Sequence, residues 1–265
     1  MADRPRAAAF FDLDKTIIAT SSAIAFRRPF LAEGLLTRRS MLRAAYAQLV
    51  FLMGGADEAQ TERLRVQLSR MVIGWDTEQV SLLIRQTLHQ SIDPMVYAEA
   101  VALIGEHHAA GRDVVVVSAS GTDLVRPIAE LVGADDVIAS RMGVTDGRYT
   151  GVIDRYVYGQ EKADAIVELA LARGYDLAEC YGYSDSITDA PMLDAVGHGF
   201  VVNPNHALRR LADDHGWGAL RFERPVSLRP FSTRRSRATA GVVGLVVLAA
   251  VLGWALGRAH RRGKA

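Results

Sequence analysis

Short apolar runs that end at polar or acidic residues are the feature that most limits how this chain can fold. They lie at residues 7–11, 113–117, 179–183 and 199–202. Each run has the length of a buried strand, and helical patterns at residues 123–132 and 161–173 separate them. Strands that alternate with helices predict an α/β fold with a doubly wound parallel sheet and helices on both faces.

Two stretches depart from this alternation. Residues 17–108 contain helical patterns, among them 57–72 and 77–90, and no convincing strand, and Pro94 is predicted to open the last helix of the stretch. Residues 137–153 are turn-rich, and Asp146-Gly147 predicts a hairpin there. The first stretch is therefore predicted to be a helical insertion in the α/β core.

Polar side chains follow three of the predicted strands. In parallel sheets, ligands bind beyond the carboxyl ends of the strands, so these residues are predicted to share one edge although they are far apart in sequence. Lys162 lies near the start of a predicted helix, just after Gly159. The candidate site residues are Asp12, Asp14, Thr16, Ser118, Lys162, Asp185 and Asp189.

This set of residue types suits phosphoryl transfer, which needs positioning and charge neutralisation. A carboxylate nucleophile can split hydrolysis into two steps through an aspartyl-phosphate, and a second carboxyl can protonate the leaving oxygen. Two anions approach each other only with a bridging cation, and hard oxygen ligands favour Mg²⁺. The sequence thus predicts a magnesium-dependent phosphatase.

The same residues stand in four motifs that resemble the haloacid dehalogenase superfamily. DxDxT appears as residues 12–16, a serine after an apolar strand as Ser118, a lysine in GQEK as Lys162, and an acidic pair in SDSITD as Asp185 and Asp189. The order and spacing match, and the resemblance covers roughly residues 7–205. Four motifs in order make a specific signal, whereas a lone DxD does not.

The resemblance implies a role for each residue. Asp12 would be the nucleophile and Asp14 the general acid and base, while Ser118 and Lys162 would hold the phosphate. Mg²⁺ would be held by Asp12, the main-chain carbonyl of Asp14, and Asp185. Asp189, together with Thr16, would support these groups by orienting the surroundings of the metal or Lys162.

The helical insertion resembles the cap of the phosphoserine-phosphatase-like branch, subfamily IB. SSAIAF, SAS and YSDSITDAPML look closest to its group of small, often membrane-associated bacterial phosphatases. The predicted domains are a core of residues 1–18 and 109–223, a cap of residues 19–108, and a linker of residues 224–237.

Ser21 departs from the pattern of the serine-specific members. Those members have an acidic residue nine positions after the nucleophile, where it reads the amine of the substrate, and this chain has Ser21 there. A neutral serine supplies no counter-charge, so the substitution argues against phosphoserine. Phosphoserine and other small phosphorylated metabolites nevertheless stay open as alternative substrates.

The C-terminal region has a different composition from the rest. Residues 238–257 carry no charge, have the length of a membrane-spanning helix and are flanked by arginines. A buried core helix is the alternative, but the uniform apolarity between basic clusters favours a single-pass membrane anchor, followed by a basic tail of residues 258–265. The catalytic part is expected on the cytoplasmic side, because the N-terminus lacks the apolar core of a signal peptide. An anchor would bring lipid phosphates within reach as substrates.

Composition excludes some other functions. The net charge of +1 gives no reason to propose nucleic acid as a partner, and one cysteine, Cys180, cannot form an internal disulfide or a cysteine-rich zinc site.

Two alternatives to a phosphatase stay open. One is a non-catalytic membrane adaptor that keeps the fold, and the other is a phosphotransferase that passes the phosphoryl group to a different acceptor.

Overall fold

In the computed structural model, which describes residues 6–37 and 69–225, seven strands form one sheet. The strands are β1 (Ala8–Asp12), β2 (Asp113–Gly121), β3 (Asp136–Thr145), β4 (Arg148–Arg155), β5 (Tyr181–Ser184), β6 (His198–Val202) and β7 (Gly218–Leu220). Their order in the sheet is β4-β3-β2-β1-β5-β6-β7, and every pair is parallel except β3 with β4. The predicted α/β fold with a parallel sheet is confirmed.

Helices lie between most of the successive strands of the described chain. Within the described ranges they are α1 (Ser22–Ala25), α2 (Arg27–Ala32), α3 (Thr77–Ile92), α4 (Ala98–Ala109), α5 (Thr122–Val132), α6 (Gln160–Arg173), α7 (Ala190–Asp194) and α8 (His206–His215). Single 3₁₀ turns lie at Asp93–Met95, Leu177–Glu179 and Ile187–Asp189. The helices predicted at residues 77–90, 123–132 and 161–173 are all present, with bounds that differ by one or two residues.

The central strands bury side chains on both faces of the sheet, as their unbroken apolar sequence requires. Phe11 and Val116 contribute to a core that includes Ile104 of α4 and Ile128 of α5. The alternate residues, such as Phe10, belong to a second core. That core includes Ile166 of α6, Met192 of α7 and Leu208 of α8. This alternation places helices on both faces and leaves the carboxyl ends of the strands free for a site.

The predicted hairpin is confirmed at β3 and β4. Asp146 and Gly147 both have positive φ, at 51° and 71°, as a two-residue turn that matches strand twist requires. Tyr149 of β4 donates its main-chain N–H to the carbonyl of Trp75 and its hydroxyl to Asp123. The hairpin therefore also holds the segment that leads into α3.

Some sequence predictions need correction. Pro94 does not open the helix before Gly111; it lies in a 3₁₀ turn, and α4 begins at Ala98. The strand predicted at residues 179–183, which is β5, begins only at Tyr181, because Asp176 caps a 3₁₀ turn that occupies Leu177–Glu179. Neither α8 nor β7 was predicted; β7 has three residues, which are too few to show a strand pattern.

The membrane prediction falls on a region without structural description. Residues 238–257, the basic tail and most of the helix predicted at residues 57–72 lie outside the described residues. In the ranges 6–37 and 69–225, none of the helices combines the length and apolarity that a bilayer span needs.

A buried polar network joins α4 to β5. His107 of α4 is 2% exposed, its Nε2 lies 2.9 Å from the hydroxyl of Tyr183, and Arg112 donates its Nε–H to His107 Nδ1. Burial, and secondly the charges of Arg112 and His108, lower the pKa of His107 from 6.5 to about 3. His107 therefore stays neutral in the folded protein where the unfolded chain binds a proton.

We expect His107→Gln to flatten the pH dependence of stability. A histidine with a lowered folded pKa costs stability as pH falls below its unfolded value of 6.5. Between pH 7 and pH 5, the wild type should lose about 2 kcal/mol more unfolding free energy than the variant. Denaturant unfolding at both pH values measures this difference. His215→Gln, which changes a half-exposed histidine paired with Asp194, is the control; equal pH dependence in wild type and His107→Gln would refute the expectation.

Candidate active site

Three adjacent strands bring polar groups to one edge of the sheet. Asp12 ends β1 and pairs in register with Val117 of β2, one residue before Ser118. On the other side, Phe11 of β1 pairs with Tyr183 of β5, one residue before Ser184. Asp12, Ser118 and Ser184 are thus at the same level, each at the carboxyl end or in the last residues of its strand.

A buried ion-pair network joins Asp12 to two distant parts of the chain. Lys162 Nζ lies 2.7 Å from Asp12 Oδ1 and 2.7 Å from Asp189 Oδ2. Relative exposures are 7% for Asp12, 3% for Lys162 and 2% for Asp189. Lys162 reaches this place because α6 begins after Gly159, whose φ of 58° turns the chain into the helix. Charges so deeply buried are expected only where they are paired.

The charges of this network shift each other's proton affinity. Burial raises the pKa of Asp12 to about 7, although Lys162 opposes the rise. Burial on its own would lower the pKa of Lys162, but the carboxylates of Asp12 and Asp189 outweigh it and raise that pKa. Lys162 therefore stays positively charged. Any further positive charge nearby would favour the ionised form of Asp12.

Asp14 lies next to Asp12 and is held by two serines. Its Oδ1 accepts from the main-chain N–H of Ser22 at 2.8 Å, and its Oδ2 accepts from the Ser120 hydroxyl at 3.5 Å. The Ser22 and Ser120 hydroxyls are 3.0 Å apart. Asp14 is partly exposed, so its carboxyl group stays accessible to a ligand.

Asp185 reaches the site through the loop after β5. Its main-chain N–H donates to the hydroxyl of Thr16 at 3.1 Å, which ties this loop to the one after β1. Burial raises the pKa of Asp185 to about 6, with Lys15 opposing. No arginine or lysine of the described ranges forms an ion pair with Asp185, so the charges of Lys15 and Lys162 act on its carboxylate from beyond ion-pair distance.

The donor set fits a hard divalent cation. Four carboxylates, of Asp12, Asp14, Asp185 and Asp189, lie in or beside a site in which Lys162 is the one buried lysine or arginine of the described residues. In the described residues, no three His, Cys, Asp or Glu side chains form a ready metal cluster. Mg²⁺ needs no such cluster, because it is usually held by one or two carboxylates, with water and substrate oxygens as the other ligands.

The structure brings the predicted residues together unevenly. Lys162 donates hydrogen bonds to Asp12 and Asp189, and the hydroxyl of Thr16 accepts one from the main-chain N–H of Asp185. Ser118 is buried at the same edge, and its hydroxyl accepts from the main-chain N–H of Ser120 at 3.1 Å. Three contributing serines were not predicted: Ser22, Ser120 and Ser184. The SAS sequence contained a signal for Ser120, since it lies two residues after Ser118.

Comparison with known proteins identifies the family of this site. Residues 9–194 match the model of the haloacid dehalogenase-like hydrolases. The chain is 54% identical over 252 residues to "Probable phosphatase Rv3661" of Mycobacterium tuberculosis strain H37Rv, covering 94% of this chain and 88% of that protein. It is 31% identical over 258 residues to "Phosphoserine phosphatase SerB1" of the same strain, covering 97% of this chain and 81% of that protein.

A solved structure has the same fold. It is described as a phospho-aspartyl intermediate analogue of phosphoserine phosphatase, is 21% identical to this chain and superposes with a TM-score of 0.58. The likeness covers 84% of this chain and 96% of that one, and at this identity it concerns the fold alone. With the family match over most of its length, the chain belongs to the haloacid dehalogenase-like hydrolases, in agreement with its four motifs.

Proposed function

We propose that this protein is a magnesium-dependent phosphatase that hydrolyses phosphate monoesters through a phosphorylated Asp12. The observation that carries the proposal is the placement of Asp12, which is buried at the end of β1 with Lys162 on one carboxylate oxygen. The other oxygen, Oδ2, accepts no hydrogen bond from the described residues. That oxygen is therefore the atom that can attack phosphorus. Relatives that are named phosphatases support the same activity.

The first chemical step forms a bond between Asp12 and phosphorus and breaks the bond to the leaving oxygen. Asp14 donates a proton to that oxygen, so that an alcohol departs. Ser22 supports this role, because its N–H fixes the Asp14 carboxyl group beside the nucleophile. In the second step Asp14 takes a proton from water, the oxygen of that water attacks phosphorus, and Asp12 is released together with inorganic phosphate.

Lys162 and Ser118 would hold the phosphoryl oxygens during both steps. The lysine ammonium has three N–H groups, of which two bond Asp12 and Asp189, so one is left for the substrate. Asp12, the main-chain carbonyl of Asp14, and Asp185 would hold Mg²⁺. Bound there, the cation supplies the positive charge that allows two anions to approach.

We propose the domain division that the sequence indicates. The core of residues 1–18 and 109–223 carries the chemical groups, and a cap of residues 19–108 selects the leaving group. Residues 22–32 and 77–92 support the division, because their regular structure is helical, whereas α4 packs on the sheet with Phe11 and Val116. The linker of residues 224–237 and the single-pass anchor of residues 238–257 stay predictions, as does the cytoplasmic placement of the catalytic part.

The substrate we propose is a small phosphorylated molecule with a neutral alcohol as the leaving group. Ser21 is the N-cap residue of α1 and directly precedes Ser22, whose N–H bonds Asp14, so residue 21 is close to where a leaving group would lie. A serine there offers a hydroxyl but no negative charge for a substrate amine. Phosphoserine is the alternative that the name of a relative suggests, and a lipid phosphate is the alternative that an anchor would favour.

A phosphate-release screen tests the proposed function. We expect full-length protein to release phosphate from small monoesters such as glycerol phosphate, to lose activity with a chelator, and to regain it when Mg²⁺ is added. Phosphoserine and detergent-solubilised lysophosphatidate serve as the other arms. Release from phosphoserine alone would contradict the argument from Ser21, and release from none would favour an adaptor. Added alcohols distinguish a phosphotransferase, which would yield new phosphate esters.

A further inference from the structure

Ser184 completes the buried ion-pair network, and no motif assigns it a role. Its hydroxyl donates to Asp189 Oδ2 at 2.7 Å, the same oxygen that Lys162 contacts at 2.7 Å. Ser184 is fully buried, with 0% exposure. Its oxygen also accepts from the main-chain N–H of Ser186 at 3.1 Å, so its proton is left for Asp189. The direction of the hydrogen bond is thereby fixed.

This bond matters because Lys162 is shared between two carboxylates. If Asp189 lacked its second donor, its buried charge would rely on Lys162 alone, and Lys162 would be drawn towards Asp189 and away from Asp12. The hydroxyl of Ser184 stabilises part of the negative charge on Asp189, so that Asp189 relies less on Lys162. It also fixes the rotation of the Asp189 carboxylate, and therefore the direction in which the third N–H of Lys162 points.

We propose that Ser184 is a positioning residue, which acts through Asp189 and Lys162 to keep the ammonium group aimed at the phosphoryl oxygens. The inference rests on the proposed phosphatase function. Ser184 would not touch substrate, and aiming Lys162 matters most for the charge on the phosphoryl oxygens in the transition state, so its effect would fall mainly on the chemical step. Its place in the chain supports this, since β5 delivers Ser184 one residue before Asp185 and level with Asp12.

Steady-state kinetics of Ser184→Ala test the proposal. We expect kcat to fall about tenfold, as befits a lost hydrogen bond to a buried charge, while KM changes by less than about twofold. Ser184→Thr keeps the hydroxyl and should retain kcat to within about threefold. Melting temperatures of both variants show whether the fold is kept. Ser186→Ala is the matched control, because its hydroxyl contacts Thr188 and not Asp189, and its kcat should stay near the wild-type value.

Four outcomes would overturn the proposal. They are an unchanged kcat in Ser184→Ala, equal losses in Ser184→Ala and Ser186→Ala, a change confined to KM, and a loss in a normally folded Ser184→Thr as large as that in Ser184→Ala. Failure of the phosphatase function itself is separable, because it would show as wild-type protein without phosphate release or as undiminished activity in Asp12→Asn.

Discussion

Asp12→Asn is expected to lower the rate of phosphate release by at least about a thousandfold while leaving the protein folded. The amide has the shape of the carboxylate but is a far weaker nucleophile. It also carries no negative charge to help hold a cation. The substitution removes the group that would form the covalent bond to phosphorus, so the proposed first step loses its nucleophile.

The fold should tolerate this change because Lys162 keeps a partner. Asp189 remains 2.7 Å from the ammonium, and the amide that replaces the Asp12 carboxylate still offers it a carbonyl oxygen. Burial raises the pKa of Asp12, so the folded protein gains little from its negative charge. We therefore expect a melting temperature within a few degrees of the wild-type value, which circular dichroism would measure.

Asp164→Asn is the matched control for charge. Asp164 lies on the same helix as Lys162 and bonds Gln160 on the exposed surface, so the substitution alters net charge equally without touching the site. It should retain full activity. If Asp12→Asn retained activity on the whole ester panel, the nucleophile would lie elsewhere and the proposed mechanism would be wrong.

The sequence predicted the fold and much of the site because parallel strands bring their carboxyl ends together. Once residues 7–11 and 113–117 were recognised as strands, Asp12 and Ser118 were expected at one edge of the sheet, and the structure pairs the two strands directly. Lys162 follows from the same logic, since its helix begins at that edge although it is 150 residues from Asp12. Hydrophobic pattern and element ends thus suffice to gather the groups.

The supporting serines could not be predicted in the same way. A serine after a strand or at a helix start is commonly a cap or a surface residue, and the sequence does not show where its hydroxyl points. Ser22, Ser120 and Ser184 become distinguishable through distances to Asp14 and Asp189, which depend on the rotamers of packed side chains. The start of the helix that is α4 was predicted at Pro94, which is wrong for a related reason. Proline suits a 3₁₀ turn as well as the first turn of a helix.

Lys162→Met is expected to be the most destabilising of the proposed substitutions. It removes the shared cation and leaves Asp12 and Asp189 buried without a counter-charge. Breaking a buried ion pair on one side costs about 3–5 kcal/mol, whereas replacing all of its charges can be nearly neutral. Phosphate release should also fall sharply, because the phosphoryl oxygens lose their cationic partner.

The sign of the pH dependence tests this cause. Lys162 lowers the pKa of Asp12 against the effect of burial, so its removal raises that pKa beyond the wild-type value of about 7. An acid whose folded pKa lies above its unfolded value loses stability as pH rises through that range. The deficit of Lys162→Met relative to wild type, measured by denaturant unfolding, should therefore be larger at pH 8 than at pH 5.

A second substitution separates charge from packing. Adding Asp189→Asn to Lys162→Met removes one of the two buried carboxylates, so the double variant should recover part of the lost unfolding free energy, about 1–3 kcal/mol. A loss that came from the packing of the lysine stem would not be recovered by this change, and it would be equal at pH 8 and pH 5. Partial recovery with a pH-dependent deficit would instead show that Lys162 stabilises the fold by neutralising Asp12 and Asp189, the same charges that the proposed chemistry uses.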